Sequence, residues 1–215
     1  MIQFVDVAKN YKMREGVKQI LHPSNIKFEL THNTALLGVN GAGKSTILRL
    51  IAGAELPTQG HIIRSASVSW PIGLGNGFKN SMSAQENIRF IAQIHGMDPD
   101  EVSAFCDEFA DIGTYYRLPV SLYSSGMRAR AAFALSMAIP FQVYLIDEIL
   151  AVGDHIFQKK CKAVFEERIS SARCIMVSHS ESTLRTHCQN AFVLRHGQLT
   201  YFDTLDAAFA YYHVK

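Results

Sequence analysis

Gly38-Val-Asn-Gly-Ala-Gly-Lys-Ser-Thr46 constrains this chain more than any other stretch. It has the full G-x-x-x-x-G-K-[ST] spacing, from Gly38 through Gly43 to Lys44 and Ser45. Ala35-Leu-Leu37 before it reads as the end of a buried strand, and Ile47-Leu-Arg-Leu-Ile51 after it as an apolar helix face. Glycines there let the backbone curl so that successive N–H groups point at one anion. The helix N-terminus adds unsatisfied donors and the positive end of its dipole. Lys44 is placed to reach the β- and γ-phosphates of a nucleoside triphosphate, and the Ser45 hydroxyl to ligate Mg²⁺. An ordinary glycine-rich strand–helix turn needs neither the Lys-Ser pair nor this spacing. The stretch is therefore read as a triphosphate loop lined by Gly38, Asn40, Gly41, Ala42, Gly43, Lys44, Ser45 and Thr46.

The 215 residues suffice for one substantial domain, or for a core with an inserted lobe. Apolar residues make up 48% and the net charge is only +2, which describes a soluble globular chain and gives no support for a nucleic-acid surface. Cys106, Cys161, Cys174 and Cys188 show no C-x-x-C or metal-ligand spacing, so buried reduced thiols of a cytosolic protein are expected. The N-terminus lacks a basic segment followed by an apolar one, so no signal peptide is expected. The most apolar stretch, residues 131–146, is broken by Pro140 and too short to span a bilayer. Work at a membrane would need a separate anchor.

Strands are predicted at residues 2–7, 25–30, 61–63 and 66–69, with Tyr11 in a polar turn. Trp70-Pro-Ile-Gly-Leu-Gly-Asn-Gly-Phe78 is predicted to be irregular. Ser83-Ala-Gln-Glu86 is a capping box, ahead of Ile88, Phe90, Ile91 and Ile94 on one predicted apolar face. Asp98-Pro-Asp-Glu101 starts another helix, with Val102, Phe105, Cys106 and Phe109 inward. A third should begin near Ser125 and stop at Pro140. Strands then recur at 142–146 and 174–177, around a helix over about 154–169. A hairpin turning at His196-Gly197 and a short helix over 205–212 close the chain. The expected organisation is a single α/β domain. Residues 1–78 and 141–215 form the core, and about 79–140 form an inserted helical lobe.

Val143-Tyr-Leu-Ile-Asp147-Glu148 is an apolar strand ending in two carboxylates. In an open parallel sheet, ligands sit at the C-terminal strand ends. Asp147 is then placed to hold Mg²⁺ and Glu148 to polarise an attacking water. Tyr123-Ser124-Ser125-Gly126-Met127 opens the third helix of the lobe and makes a second anion-binding turn. One nucleotide cannot touch both turns of one chain if the lobe projects outward; two chains facing head to tail bring them together.

With these residues in place, the chain resembles the ATP-binding subunit of an ABC transporter over essentially its whole length. Residues 38–46 resemble Walker A, residues 143–148 resemble Walker B with its catalytic glutamate, and Ser124, Ser125 and Gly126 resemble the core of the signature motif. Ala151-Val-Gly-Asp154 is similar to the D-loop, and His179 after Met176-Val-Ser to the switch histidine. Tyr11 sits where that family places an aromatic against adenine. The implied fold is a P-loop NTPase (RecA-like) core with an N-terminal antiparallel β subdomain and an inserted helical lobe. The implied cofactors are ATP and Mg²⁺. Lys44, Glu148 and His179 would be catalytic, with Ser45 and Asp147 on the metal.

Departures narrow the resemblance. The signature reads Y-S-S-G-M-R-A-R, and Asp147-Glu-Ile-Leu-Ala-Val-Gly-Asp154 replaces the commoner run after Walker B. With the Trp70 stretch, both resemble the capsular polysaccharide export ATPases of Gram-negative bacteria; exporters of O-antigen and teichoic acid share the second run. Many of these carry an extra C-terminal domain, for which no residues remain here. No glutamine falls among residues 73–76, where the Q-loop glutamine is expected. The resemblance implies an ATP-bound homodimer at the cytoplasmic face of the inner membrane, an integral membrane permease, further envelope export components and no nucleic acid. The Trp70 stretch and the inserted helices would meet the permease. Two other classes remain: a soluble ABC-type ATPase, which usually carries two cassettes or a long coiled-coil insertion not found here, and a P-loop kinase or GTPase, of which a GTPase would want an N-K-x-D motif that is also not found.

Overall fold

The computed structural model describes residues 1–14, 16–72, 77–147 and 154–214. It divides into two compact units. The first comprises Met1–Pro71, Phe141–Glu148 and Ala172–Lys215, and the second Ile72–Pro140 and Ile149–Ser171. The helix after the carboxylate strand therefore groups with the helical unit, whereas the sequence reading leaves it in the core.

The first unit holds two sheets. An antiparallel sheet orders β2 (Gly16–Phe28), β1 (Ile2–Met13) and β4 (Gln59–Arg64). A six-stranded sheet runs β5 (Val68–Ile72), β6 (Val143–Asp147), β7 (Arg173–Val177), β3 (Thr34–Leu37), β8 (Asn190–Arg195) and β9 (Gln198–Phe202). Strands β6, β7, β3 and β8 are mutually parallel, and all four residues of β3 are buried, as strands covered on both faces require. Helix α1 (Lys44–Ala52) buries Ile47, Leu48, Leu50 and Ile51 in a core shared with Leu36, Leu145, Ile175 and Phe192. Helices α6 (Glu181–His187) and α7 (Leu205–His213) complete the unit. An α/β P-loop core with an antiparallel β subdomain is what the sequence resemblance implied.

Two strand predictions are corrected. Tyr11 lies within β1, not in a turn. Register shifts between Phe4 and Asn10, with Asp6 at φ 49°, break the alternation that a strand this long would otherwise show. Trp70, Pro71 and Ile72 are also not irregular: they belong to β5, an edge strand, where a proline costs no ladder bond. Residues 73–76, including the position of the expected glutamine, lie outside the described residues.

The second unit contains α2 (Ala84–Ile94), α3 (Pro99–Ala110), α4 (Ser125–Ala138) and α5 (His155–Ser171). The capping box forms: Glu86 N donates to Ser83 Oγ at 3.1 Å, and Ser83 N to Glu86 Oε2 at 2.7 Å. The face of α2 is corrected. It buries Ala84, Asn87, Ile88 and Ala92, while Phe90 and Ile94 stand 57% and 65% exposed. Asn87 turns the helix inward because its amide binds the backbone of Lys79 and Ser83. All four cysteines are free and buried, and burial pushes the Cys106 and Cys161 thiols up to about 12.

Candidate active site

The phosphate loop owes its shape to its glycines. Gly43 precedes α1 at φ 113°, and a Cβ there would lie 2.4 Å from Ile20 Cγ2, so no side chain fits. Ala42 N donates to Val39 O at 3.1 Å, which tightens the turn. Helix α1 has no side-chain cap. The other α-helices are each capped by a side chain: Ser83, Asp98, Ser124, Asp154, Ser180 and Thr204 accept from their first turns. An anion at the start of α1 would satisfy first-turn donors that no side chain caps, and would complement the dipole. Lys44 Nζ lies over the loop, donating to Gly38 O at 2.7 Å and Val39 O at 3.2 Å.

Strand register gathers the remaining groups of the first unit. Asp147 pairs with Val177 across β6 and β7, and Ala35 with Met176 across β3 and β7. The C-terminal ends of these strands are therefore level, and Gly38, Asp147 and His179 leave the sheet at one edge. Gly38, Lys44, Ser178 and His179 line a common cavity of about 100 Å³. Asp147 and Ser45 are both partly exposed. One carboxylate and one hydroxyl are hard oxygen donors that suit Mg²⁺, which takes few protein ligands beside phosphate and water. Among the described residues no group of three or more His, Cys, Asp or Glu is placed to hold a metal ion. Glu148 and residues 151–153 of the D-loop-like run lie outside the described residues.

Tyr11 belongs to a polar network that the sequence did not reveal. Its hydroxyl donates to Glu55 Oε1 at 2.6 Å, and lies 3.3 Å from Thr46 Oγ1. Arg49 donates to Glu55 Oε2 at 3.0 Å and to Thr46 Oγ1 at 3.1 Å. Lys9 Nζ lies 2.8 Å from Glu55 Oε1 and 5.1 Å from the centre of the Tyr11 ring. Burial alone would raise the Glu55 pKa, but hydrogen bonds from Lys9, Tyr11 and Arg49 outweigh it and lower it to about 2. The expected adenine-side tyrosine is thereby tied to the first turn of α1. Lys9, Arg49 and Glu55 have no motif spacing that could have announced them.

In the second unit, Ser124 caps α4 by accepting from Met127 N at 3.2 Å, so Ser125 and Gly126 form a helix start as read from sequence. Gly126 has an ordinary helical backbone, and a Cβ there would meet only Ser124 Oγ, at 3.9 Å. Among the described residues nothing requires a glycine there. In the same unit Arg130 donates to Asp154 Oδ2 at 2.6 Å, tying α4 to the residue that caps α5.

Residues 21–151 match the family model described as ABC transporter. The chain is 46% identical to the capsule polysaccharide export ATP-binding protein CtrD of Neisseria meningitidis serogroup B, over 99% of each chain. It is 42% identical to the polysialic acid transport ATP-binding protein KpsT of Escherichia coli, over 99% of this chain and 98% of that one. Among solved structures, the dimeric post-hydrolysis state of the ATP-binding cassette MJ0796 bound to ADP and Pi superimposes with a TM-score of 0.76. It covers 94% of this chain and 98% of that chain at 18% identity, a likeness of fold.

Proposed function

The chain belongs to the ABC transporter family, and from that premise we propose that it is the ATP-hydrolysing subunit of a capsular polysaccharide exporter. The observation that carries the chemistry is the uncapped start of α1, overlain by Lys44 and level with Asp147 and His179 at one sheet edge. The polysaccharide assignment rests on the relatives named for capsule and polysialic acid export, each covered almost end to end.

In this reading the backbone donors of residues 38–46 hold the phosphates, and Tyr11 stacks on adenine. Ser45 and Asp147 would hold Mg²⁺, which would supply charge neutralisation at the phosphates. Lys44 leaves its loop carbonyls for the γ-phosphate, Glu148 orients the attacking water, and His179 hydrogen-bonds the transferred group. Ser124, Ser125 and Gly126 of a second copy close the site, and the open space over Gly126 supports that arrangement. Closure held by the γ-phosphate and released by hydrolysis is a two-state switch able to drive a membrane partner. Among the described residues no helix is long and apolar enough to cross a membrane, so the chain would act through an integral permease at the cytoplasmic face of the inner membrane. Phe90 and Ile94, one turn apart and exposed on α2, offer that permease an apolar contact.

The test is Glu148→Gln in the full chain. ATP binding should persist, turnover should fall at least 100-fold, and the ATP-loaded protein should elute as a dimer. Undiminished turnover would overturn the assignment of the base.

A further inference from the structure

The cavity that holds Lys44 and His179 has a third wall. Tyr212 and His213, in the last turn of α7, line it together with Gly38 and Lys44 of the phosphate loop. Helix α7 is held there by side chains of α6, which begins directly after the His179 segment. Arg185 on α6 donates to Glu181 Oε1 at 3.0 Å in its own helix and to Asp206 Oδ1 at 2.7 Å in α7. Its guanidinium also lies 5.0 Å from the centre of the Phe209 ring. At the far end of α7, His213 Nε2 approaches Glu181 Oε2 to 3.9 Å, and the Arg195 guanidinium lies 5.6 Å from the Tyr211 ring centre. Glu181 is thus joined to α7 from both ends while standing two residues from His179.

We propose that Arg185 is a positioning residue for hydrolysis: it pins the C-terminal helix across the cleft, so that α7 walls the γ-phosphate side and holds the Ser178–Glu181 segment, and His179 with it, in register with Lys44. The inference rests on reading this cleft as the γ-phosphate side of the ATP site. Arg185 and Asp206 are 44% and 81% exposed, and exposed ion pairs contribute little to stability. Their geometry matters more than their energy. Arginine bridges two carboxylates and covers a ring at once, which a lysine cannot do. Catalysis is sensitive to small misplacements, where about 1 Å can cost roughly 100-fold in rate.

The experiment compares Arg185→Ala, Arg185→Lys and Asp206→Asn in the full chain, measuring kcat, KM for ATP, nucleotide affinity and thermal midpoint. Arg185→Ala should lower kcat about ten-fold and Asp206→Asn about three-fold, with Arg185→Lys between wild type and alanine. KM and nucleotide affinity should stay within about two-fold, because the loop and Tyr11 are untouched. Unchanged kcat in both Arg185→Ala and Asp206→Asn overturns the proposal, as does a kcat loss matched by lost nucleotide binding. Should Arg185→Ala fail to fold, Asp206→Asn decides, since that side chain is 81% exposed. Glu148→Gln run alongside separates the two readings. If it retains turnover, the site assignment fails; if it abolishes turnover while the Arg185 and Asp206 variants keep theirs, only the role of α7 fails.

Discussion

Replacing Glu55 with Gln probes the network beneath Tyr11 with almost no change of shape. The carboxylate accepts from Tyr11 and Arg49 and pairs with Lys9. Its pKa stands at about 2 against an ordinary 4.5, lowered by those three partners against the opposing effect of burial. The difference of roughly 2.5 units corresponds to at most about 3.4 kcal/mol, and solvent screening of a partly exposed group reduces that to about 2 kcal/mol. The sign follows from the direction. A carboxylate held below its unfolded value stabilises the fold fully above about pH 4.5 and loses that contribution as pH falls toward 2. Glu55→Gln should therefore cost about 2 kcal/mol at pH 7 by urea unfolding, and the gap to wild type should shrink below about 1 kcal/mol at pH 3. A gap under about 0.5 kcal/mol at pH 7, or one of equal size at both pH values, would refute the assignment of that charge to this network.

Two further outcomes follow from α4 and α2. Gly126→Ala should leave urea stability unchanged or raise it by up to about 1 kcal/mol, because alanine is the better helix former, while ATP turnover falls more than ten-fold; unchanged turnover would show that nothing approaches that helix start. Ile88→Ala, fully buried, should cost about 2–5 kcal/mol, whereas Phe90→Ala should change stability by less than about 0.5 kcal/mol yet weaken co-sedimentation with membranes that contain the permease; equal costs by chemical denaturation would contradict the observed face of α2.

What sequence could reveal here tracks how local each determinant is. The phosphate loop, the capping box of α2, the Asp98-Pro start of α3 and the His196-Gly197 hairpin each depend on a few adjacent residues, and each was legible. Both residues of that hairpin turn have positive φ, which its dipeptide suits. Strand β1 was read too short because its middle is held by distant groups. Asp6 N donates to Asn25 Oδ1, and the resulting bulges disturb the alternation that signals a strand. Helix α6 has seven residues and buries only Leu184, too little pattern to register a period. The face of α2 was misread for a related reason: hydrophobicity placed Phe90 and Ile94 inward, but the buried polar bonds of Asn87 set the rotation. The contacts of Glu55 with Tyr11 and Lys9 and the pairing of Arg185 with Asp206 join residues far apart in the chain, and no spacing rule connects them, whereas Glu181 and Arg185 have the helical i,i+4 spacing.

The two glycine turns show which parts of the site a single chain explains and which it does not. Gly43 is demanded from within: its φ of 113° and the 2.4 Å approach of Ile20 leave no room for a side chain. Gly126 has an ordinary helical backbone, and among the described residues a side chain there would meet only Ser124 Oγ, at 3.9 Å. The caps differ in the same sense. Ser124 satisfies part of its own helix start, whereas α1 leaves its donors for a ligand. One turn is thus shaped by its own chain, and ends in a helix start without a side-chain cap. In the proposed dimer the other is approached from outside, and the reason for its glycine would lie in the group that comes to rest against it. In a symmetric pair that would be the nucleotide held by the first turn of a second copy, so that both helix starts contribute to each site.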